Sequence, residues 1–144
     1  MIAIFHALID WGAGVHAVPR HTQLFRVSSP SSLQARFANG TLDTSAGRAS
    51  LPLVASSQPT ISIVFEFITG SEFIIAPGLL QDHGVGFYAE PVPKGSAWLI
   101  FAALSPPLFV RLERRGAVFF ARLAIVELPH GAGRDARLLV SACL

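Results

Sequence analysis

Ile61-Ser62-Ile63-Val64-Phe65-Glu66-Phe67-Ile68 is the stretch on which the fold class of this 144-residue chain turns. Ile61, Ile63, Phe65 and Phe67 alternate with Ser62, Val64, Glu66 and Ile68, the period-two pattern of a pleated strand with one face on a core. The same alternation recurs downstream, where Leu108, Val110 and Leu112 interleave with Phe109, Arg111 and Glu113. Further strand-like runs lie at 2–9, 22–28, 33–38, 72–76, 85–90, 96–104, 117–128 and 136–143. Helical signals are nearly absent. Ten prolines and twelve glycines interrupt the chain, and no segment keeps an i, i+3, i+4, i+7 apolar stripe beyond two turns. Many short strands between Gly, Pro, Asn and Ser predict an all-β fold, an antiparallel β-sandwich of jelly-roll type with about 8–10 strands in one domain, 1–144.

Two hairpins follow from turn chemistry. Asn39-Gly40 suits a two-residue type I′ turn, because both central positions need positive φ. That register pairs Ala38 with Thr41, Phe37 with Leu42 and Arg36 with Asp43, and places Ala35, Phe37, Leu42 and Thr44 on one face. A second hairpin is expected at Arg114-Arg115-Gly116, a three-residue loop that sets Leu112 against Val118, Val110 against Phe120 and Arg111 against Phe119. Loops are expected at Pro19–His21, Ser28–Ser32, Ser45–Pro59, Pro77–Gly84, Pro91–Gly95 and His130–Arg134.

Composition bears on function. Hydrophobic residues make up 51% of the chain and charged residues only 14%, against about 25% charged in ordinary soluble domains. So few charges leave part of the outer surface apolar, and large apolar patches mark interfaces. The run 117–128 is apolar at both alternating positions, so it is expected either at the centre of a layered structure or against a neighbouring subunit. The ten arginines alternate with acids, as in Arg111-Leu112-Glu113-Arg114, which argues against a nucleic-acid surface. Ile2–Ile9 reads as a strand rather than a signal peptide, since no Lys or Arg precedes it and His6 and Asp10 interrupt it. The most apolar stretch, 97–110, is too short to span a membrane and contains Pro106-Pro107. The lone Cys143 can form no internal disulfide.

No catalytic pattern emerges. His6, His16, His21, His83 and His130 form no His-x-His or His-Glu-x-x-His, and the Asp82-His83-Gly84 to Glu90 segment has Val85 where a cupin-like metal site needs its second His. No Gly-x-Ser-x-Gly is present. Asp82 with Glu90, or Glu66 with Glu72, are the carboxylate pairs available for glycoside chemistry, and Glu66 and Glu72 are expected on solvent edges. Gly84-Val85-Gly86 and Gly131-Ala132-Gly133 lack the following helix that phosphate binding requires. An enzyme, a cofactor, a metal and a small-molecule ligand are therefore not expected.

Ala17-Val18-Pro19-Arg20-His21-Thr22-Gln23-Leu24-Phe25-Arg26-Val27-Ser28-Ser29, followed by Leu33-Gln34-Ala35-Arg36-Phe37, resembles small virion structural proteins of bacteriophages. Those carry a Pro-Gly-x-x-Phe-Arg-Val-like strand and then a Val-x-Val-Arg-Phe run. Arg20-His21 stands here where glycine is common. The resemblance implies a capsid-associated, vertex or decoration subunit that resides in the virion and packs as a homo-oligomer with other capsid proteins. Trp98, Phe101, Phe109, Phe119 and Phe120 are the candidate interface anchors. The alternative is a lectin-like or receptor-binding module of a virion that uses loops 77–95, with Tyr88, Trp98 and Asp82 converging on one surface.

Overall fold

The computed structural model describes residues 2–55, 58–130 and 133–140. Thirteen strands occur among the described residues: β1 (Ile2–Ile9), β2 (His16–Pro19), β3 (Gln34–Arg36), β4 (Leu42–Thr44), β5 (Arg48–Ala55), β6 (Gln58–Ile68) and β7 (Ile74–Ile75) come before a five-residue helix, α1 (Pro77–Gln81). After it come β8 (Val85–Ala89), β9 (Ala97–Phe101), β10 (Leu108–Arg111), β11 (Glu113–Arg115), β12 (Val118–His130) and β13 (Gly133–Val140). The all-β expectation holds. The arrangement differs from a sandwich of two antiparallel sheets, because the main sheet runs β1-β7-β2-β6-β5-β13-β12 and closes by pairing β12 with β1. This is a seven-stranded barrel with three parallel contacts, β1 with β7, β2 with β6, and β13 with β5. Alternation along a strand reports which face is buried but not which strand lies alongside, so it cannot tell a closed sheet from two facing ones.

Inward positions fill the barrel with Phe5, Ala7 and Ile9 of β1, Val18 of β2, Ala49, Leu51 and Leu53 of β5, Ile63, Phe65 and Phe67 of β6, and Ala121, Leu123 and Ile125 of β12. A separate antiparallel meander, β8-β9-β10, adds Val85, Ala97, Leu99, Phe101 and Val110 to the same core. It meets the barrel at the Ile9 end of β1, where Phe87 makes edge contacts with Trp11 and Phe119. The expected run 117–128 is β12, and it is central. One edge pairs with β1, and the other carries β11 and then β13 end to end.

Several local expectations change. The segment 45–59, expected as a loop, holds β5, whose alternation of exposed Arg48 and Ser50 with buried Ala49, Leu51 and Leu53 is obscured in sequence by small residues and Pro52. Pro52 lies between the Ser29 bridge at Arg48 and the first β13 contact at Leu53, outside both pairings on that edge, a setting that tolerates proline. Residues 22–28 form no strand. Apart from an isolated bridge at Ser29 to Arg48, that segment is irregular.

Both hairpins form with other registers. At the first, Arg36 faces Leu42, Ala35 faces Asp43, and Phe37 N–H donates to Thr41 O. The loop is therefore the three residues Ala38-Asn39-Gly40, with only Gly40 at positive φ (83°). A one-residue slip exchanges the two faces, so Asp43 shares a face with Ala35 and meets Arg20 (3.7 Å) instead of Arg36. At the second, Arg115 faces Val118, which leaves a two-residue Gly116-Ala117 turn. Leu112 is where the chain changes sheets, its N–H bonding Ala97 O, so β10 pairs with β9 and never reaches β12.

Candidate functional site

Two surfaces stand out. The first is the outer wall of the barrel, where Ile2 faces Val126 and Ile4 faces Ala124, which in turn faces Leu139. Outward positions of a solvated barrel are ordinarily polar, yet Ile2 is 67% and Ile4 50% exposed. Ala124 is fully buried between these neighbours, so Ile4, Ala124 and Leu139 form an apolar row across β1, β12 and β13. Ile2 and Val126 extend it to a row that ends at Arg137 of β13, and His6 opposite Arg122 bounds it on the other side.

The second surface is the outer face of the small meander. Tyr88 and Arg111 both face Trp98, giving one row across three strands, and Gly86 and Phe109 both face Ile100 in the next row. The Tyr88 and Trp98 rings lie nearly parallel with centroids 5.9 Å apart. Tyr88 and Phe109 are more than half exposed.

At the Arg111 end of the aromatic row an open cleft of about 550 Å³ runs between the meander and β11–β12, lined by Lys94, Arg111, Arg114, Arg122 and Glu113 among others. Arg111 donates to Ser96 Oγ at 3.1 Å, and Arg114 donates to Gly116 O at 2.9 Å while its guanidinium covers the Phe119 ring. Lys94 and Arg122 have no carboxylate or hydrogen-bond partner among the described residues. Glu113, the cleft's one carboxylate, is engaged by Arg115 (2.8 Å) and His6 (3.1 Å). The hydrogen bond from Arg115, helped by the charges of Arg115 and His6, lowers its pKa. The turn at the mouth is braced, since Glu90 N–H donates to Ser96 O and Ser96 N–H to Glu90 Oε1. That turn holds Lys94 at φ 60°, a conformation non-glycine residues rarely adopt.

The five expected anchors separate. Phe109 is exposed and Trp98 half-buried on the meander's outer face. Phe101 is not a surface residue at all. It is 2% exposed, because odd-numbered β9 positions face the barrel. Phe119 and Phe120 are half-buried under Arg114 and Arg115, respectively. Tyr88 and Trp98 converge as the receptor-binding alternative required, but Asp82 lies elsewhere, beside α1.

Glu66, expected at a solvent edge, is 3% exposed. It faces Arg48 across the β5–β6 ladder, and Arg48 Nε donates to it at 2.7 Å while the Ser31 hydroxyl donates to its other oxygen. The loop around Ser29–Ser31 covers a position that the strand pattern alone would leave wet. His16 points into the barrel against Phe65 and accepts the Ala76 N–H at Nδ1 (3.0 Å). Burial first, and His83 second, lower its pKa to about 4. A cavity of about 150 Å³ beside it is lined by Leu80, Asp82 and His83. Among the described residues no three His, Cys, Asp or Glu side chains cluster as metal ligands, and no helix is long and apolar enough to cross a membrane. Cys143 and the Gly131-Ala132-Gly133 motif fall wholly or partly outside the described residues.

Sequence reasoning missed the basic cleft. Lys94 and Arg122 come together only because β9, β10 and β12 bring distant segments side by side, and no local signal marks them. The Ile2/Ile4 stripe had a signal, an apolar run at both alternating positions of β1. No protein-family model matches the chain, no curated protein is significantly similar to it, and no solved structure matches it.

Proposed function

We propose that this protein is a structural assembly subunit that binds further copies of itself through the barrel wall, as a capsid-associated, vertex or decoration protein of a bacteriophage particle. The apolar stripe at Ile2 and Ile4 carries the reading. Burying four such isoleucines across a two-fold contact contributes on the order of 6 kcal/mol gross. Association itself costs about 4–15 kcal/mol. The stripe therefore serves as the anchor of a larger contact, of about 800 Å² per partner, rather than as the whole of it. The chain exposes 8277 Å², against roughly 7,000 Å² for a compact monomer of this mass, which leaves area for such a contact. Resemblance of residues 17–37 to virion proteins supports the particle setting and the partnership with other capsid proteins. Assembly by a barrel wall does not depend on jelly-roll topology.

A second reading, a lectin-like or receptor-binding module, draws on the exposed Tyr88–Trp98 pair. The acid it calls for, Asp82, lies away from the rings, and the acid that does flank them, Glu90, is engaged by the Ser96 N–H.

Light scattering after size exclusion tests the assembly. A mass that is a multiple of 15.4 kDa is expected at micromolar concentration. The Ile2→Thr/Ile4→Thr double variant, which keeps β-branched strand formers while removing apolar area, is expected to run as a monomer. A parent protein that stays at 15.4 kDa up to tens of micromolar refutes the reading. Cross-linking within intact particles tests the virion setting, with links from β1 or β13 to a second copy or to a capsid protein as the expected result.

A further inference from the structure

We infer that the Tyr88–Trp98 row and the adjoining basic cleft bind single-stranded nucleic acid, with bases stacking on the rings and phosphates lying among Lys94, Arg111, Arg114 and Arg122. The linear sequence disfavours such a surface because its arginines alternate with acids. Folding sorts them. Four cationic side chains line one cleft against a single carboxylate, and that carboxylate is already held by Arg115 and His6. Even with Glu90 at the mouth counted beside Glu113, four cations against two carboxylates leave +2 in this one cleft, as much as the whole chain carries.

The two halves of the surface are joined through Arg111. It lines the cleft and also stands directly opposite Trp98 in the same cross-strand row as Tyr88. Neighbouring strands are about 4.8 Å apart, so a nucleotide stacked on Trp98 has its phosphate within reach of Arg111, and the next base meets Tyr88. A charged groove that tracks a backbone beside aromatic platforms is the physical pattern of sequence-tolerant single-strand binding. The flat, open meander offers no helix or ribbon to enter a duplex groove. The cleft's Glu113 and Ser96 are already engaged, by Arg115 and His6 and by Arg111 respectively, so the hydroxyls of an acidic sugar chain would have to compete for them. Lys94 and Arg122, with no partner of their own among the described residues, are the cations such a ligand would complete.

The aromatic row is separate from the assembly stripe, although Arg122 of the cleft stands on the same outward face of β12 only two residues from Ala124. Ile2 and Ile4 lie toward the Val126 end of β12, whereas the meander packs at the Ile9–Phe119 end. These ends are about 20 Å apart along the strand.

Fluorescence anisotropy with a labelled twenty-nucleotide oligo-dT and the purified full chain tests the inference. Binding is expected to weaken with salt, with a logarithmic slope of about −3 for four phosphate contacts on a single strand. Trp98→Ala and Tyr88→Ala are each expected to weaken it by about 5- to 100-fold. Arg122→Gln, an exposed change that leaves packing intact, is expected to reduce the slope by about 0.7. The Ile2→Thr/Ile4→Thr variant is expected to bind a short oligonucleotide as the parent does, so that failure of assembly and failure of this site can be told apart. No binding in low salt overturns the inference. So does binding that a duplex or dextran sulfate matches, or that the half-exposed Tyr88 can lose its ring without weakening, since either result means attraction to polyanions alone.

Discussion

Acidifying the solution from pH 7.5 to 5 is expected to destabilise the fold through one imidazole. His16 sits inside the barrel, 5% exposed, and is neutral there because burial, with His83 nearby, lowers its pKa from 6.5 to about 4. Released by unfolding, it takes up a proton near its ordinary value. Between pH 6.5 and 4 the unfolded chain therefore binds more protons than the folded one, and stability falls as pH falls. The contribution is complete above pH 6.5 and gone once pH drops through the folded value. At 1.36 kcal/mol per unit the whole gap corresponds to about 3 kcal/mol, of which about 2 kcal/mol is lost by pH 5. For a chain of this length that is a fall of roughly 6–8 °C in Tm.

The control is His16→Asn, whose side-chain oxygen can replace Nδ1 as acceptor for the Ala76 N–H while having nothing to titrate. Parent and variant are melted side by side by circular dichroism from pH 8 to 4.5. Asp82 and His83 beside the cavity, like the carboxylates elsewhere, are present in both proteins, so the difference between them reports the removal of His16. The variant is expected to be less stable at pH 7.5, and the gap to close by about 2 kcal/mol on reaching pH 5. A gap that stays constant over this range refutes the argument, because it means that His16 takes up its proton as readily in the fold as in the unfolded chain.

Other outcomes follow from particular contacts. Phe101→Ala is expected to cost about 3–5 kcal/mol in denaturant unfolding, as for a full core ring, whereas Phe109→Ala on the outer face is expected to change stability by less than about 0.5 kcal/mol. Equal effects would contradict the assignment of these two rings to opposite sides of the meander. Arg48→Met leaves the Glu66 carboxylate buried with Ser31 alone, at an expected cost of about 1–3 kcal/mol. Raising the salt concentration should do little to the parent here, because Glu66 is shielded from solvent. Gly47→Ala places a Cβ 2.3 Å from a Val27 methyl at φ 146° and should lower stability by at least about 1 kcal/mol, measurable by urea titration. The double threonine change on the barrel wall should leave monomer unfolding within about 1 kcal/mol of the parent while abolishing self-association.

The alternation in 61–68 and 108–113 and the scarcity of helical spacing are enough to establish an all-β chain, because side-chain period is a local property of the backbone. The same reasoning places β1 residue for residue, and for 117–128 it leaves a central position or a subunit contact open, which only the pairing of β12 on both edges decides. It stops where neighbours matter. Gly40 and Gly116 announce turns, but loop length, and with it register, depends on which residues the rest of the fold buries, and both registers moved. β5 was hidden because Ala, Ser and Pro dilute its alternation, and only its pairing with β6 reveals the pattern. Glu66 became buried because a loop distant in sequence lies across it. The aromatic content was visible from composition, but which ring is core and which is surface depends on strand phase, so Phe101 and Phe109 parted.

The order of residues along this chain thus determines the strand character, the apolar excess and the unusual greasiness of β1. Closure into a barrel, the gathering of Lys94, Arg111, Arg114 and Arg122 beside Tyr88 and Trp98, and the neutral histidine inside are decided by tertiary structure alone. Each depends on which strands lie next to one another, and strand adjacency is set by the energy of the assembled core rather than by any local preference.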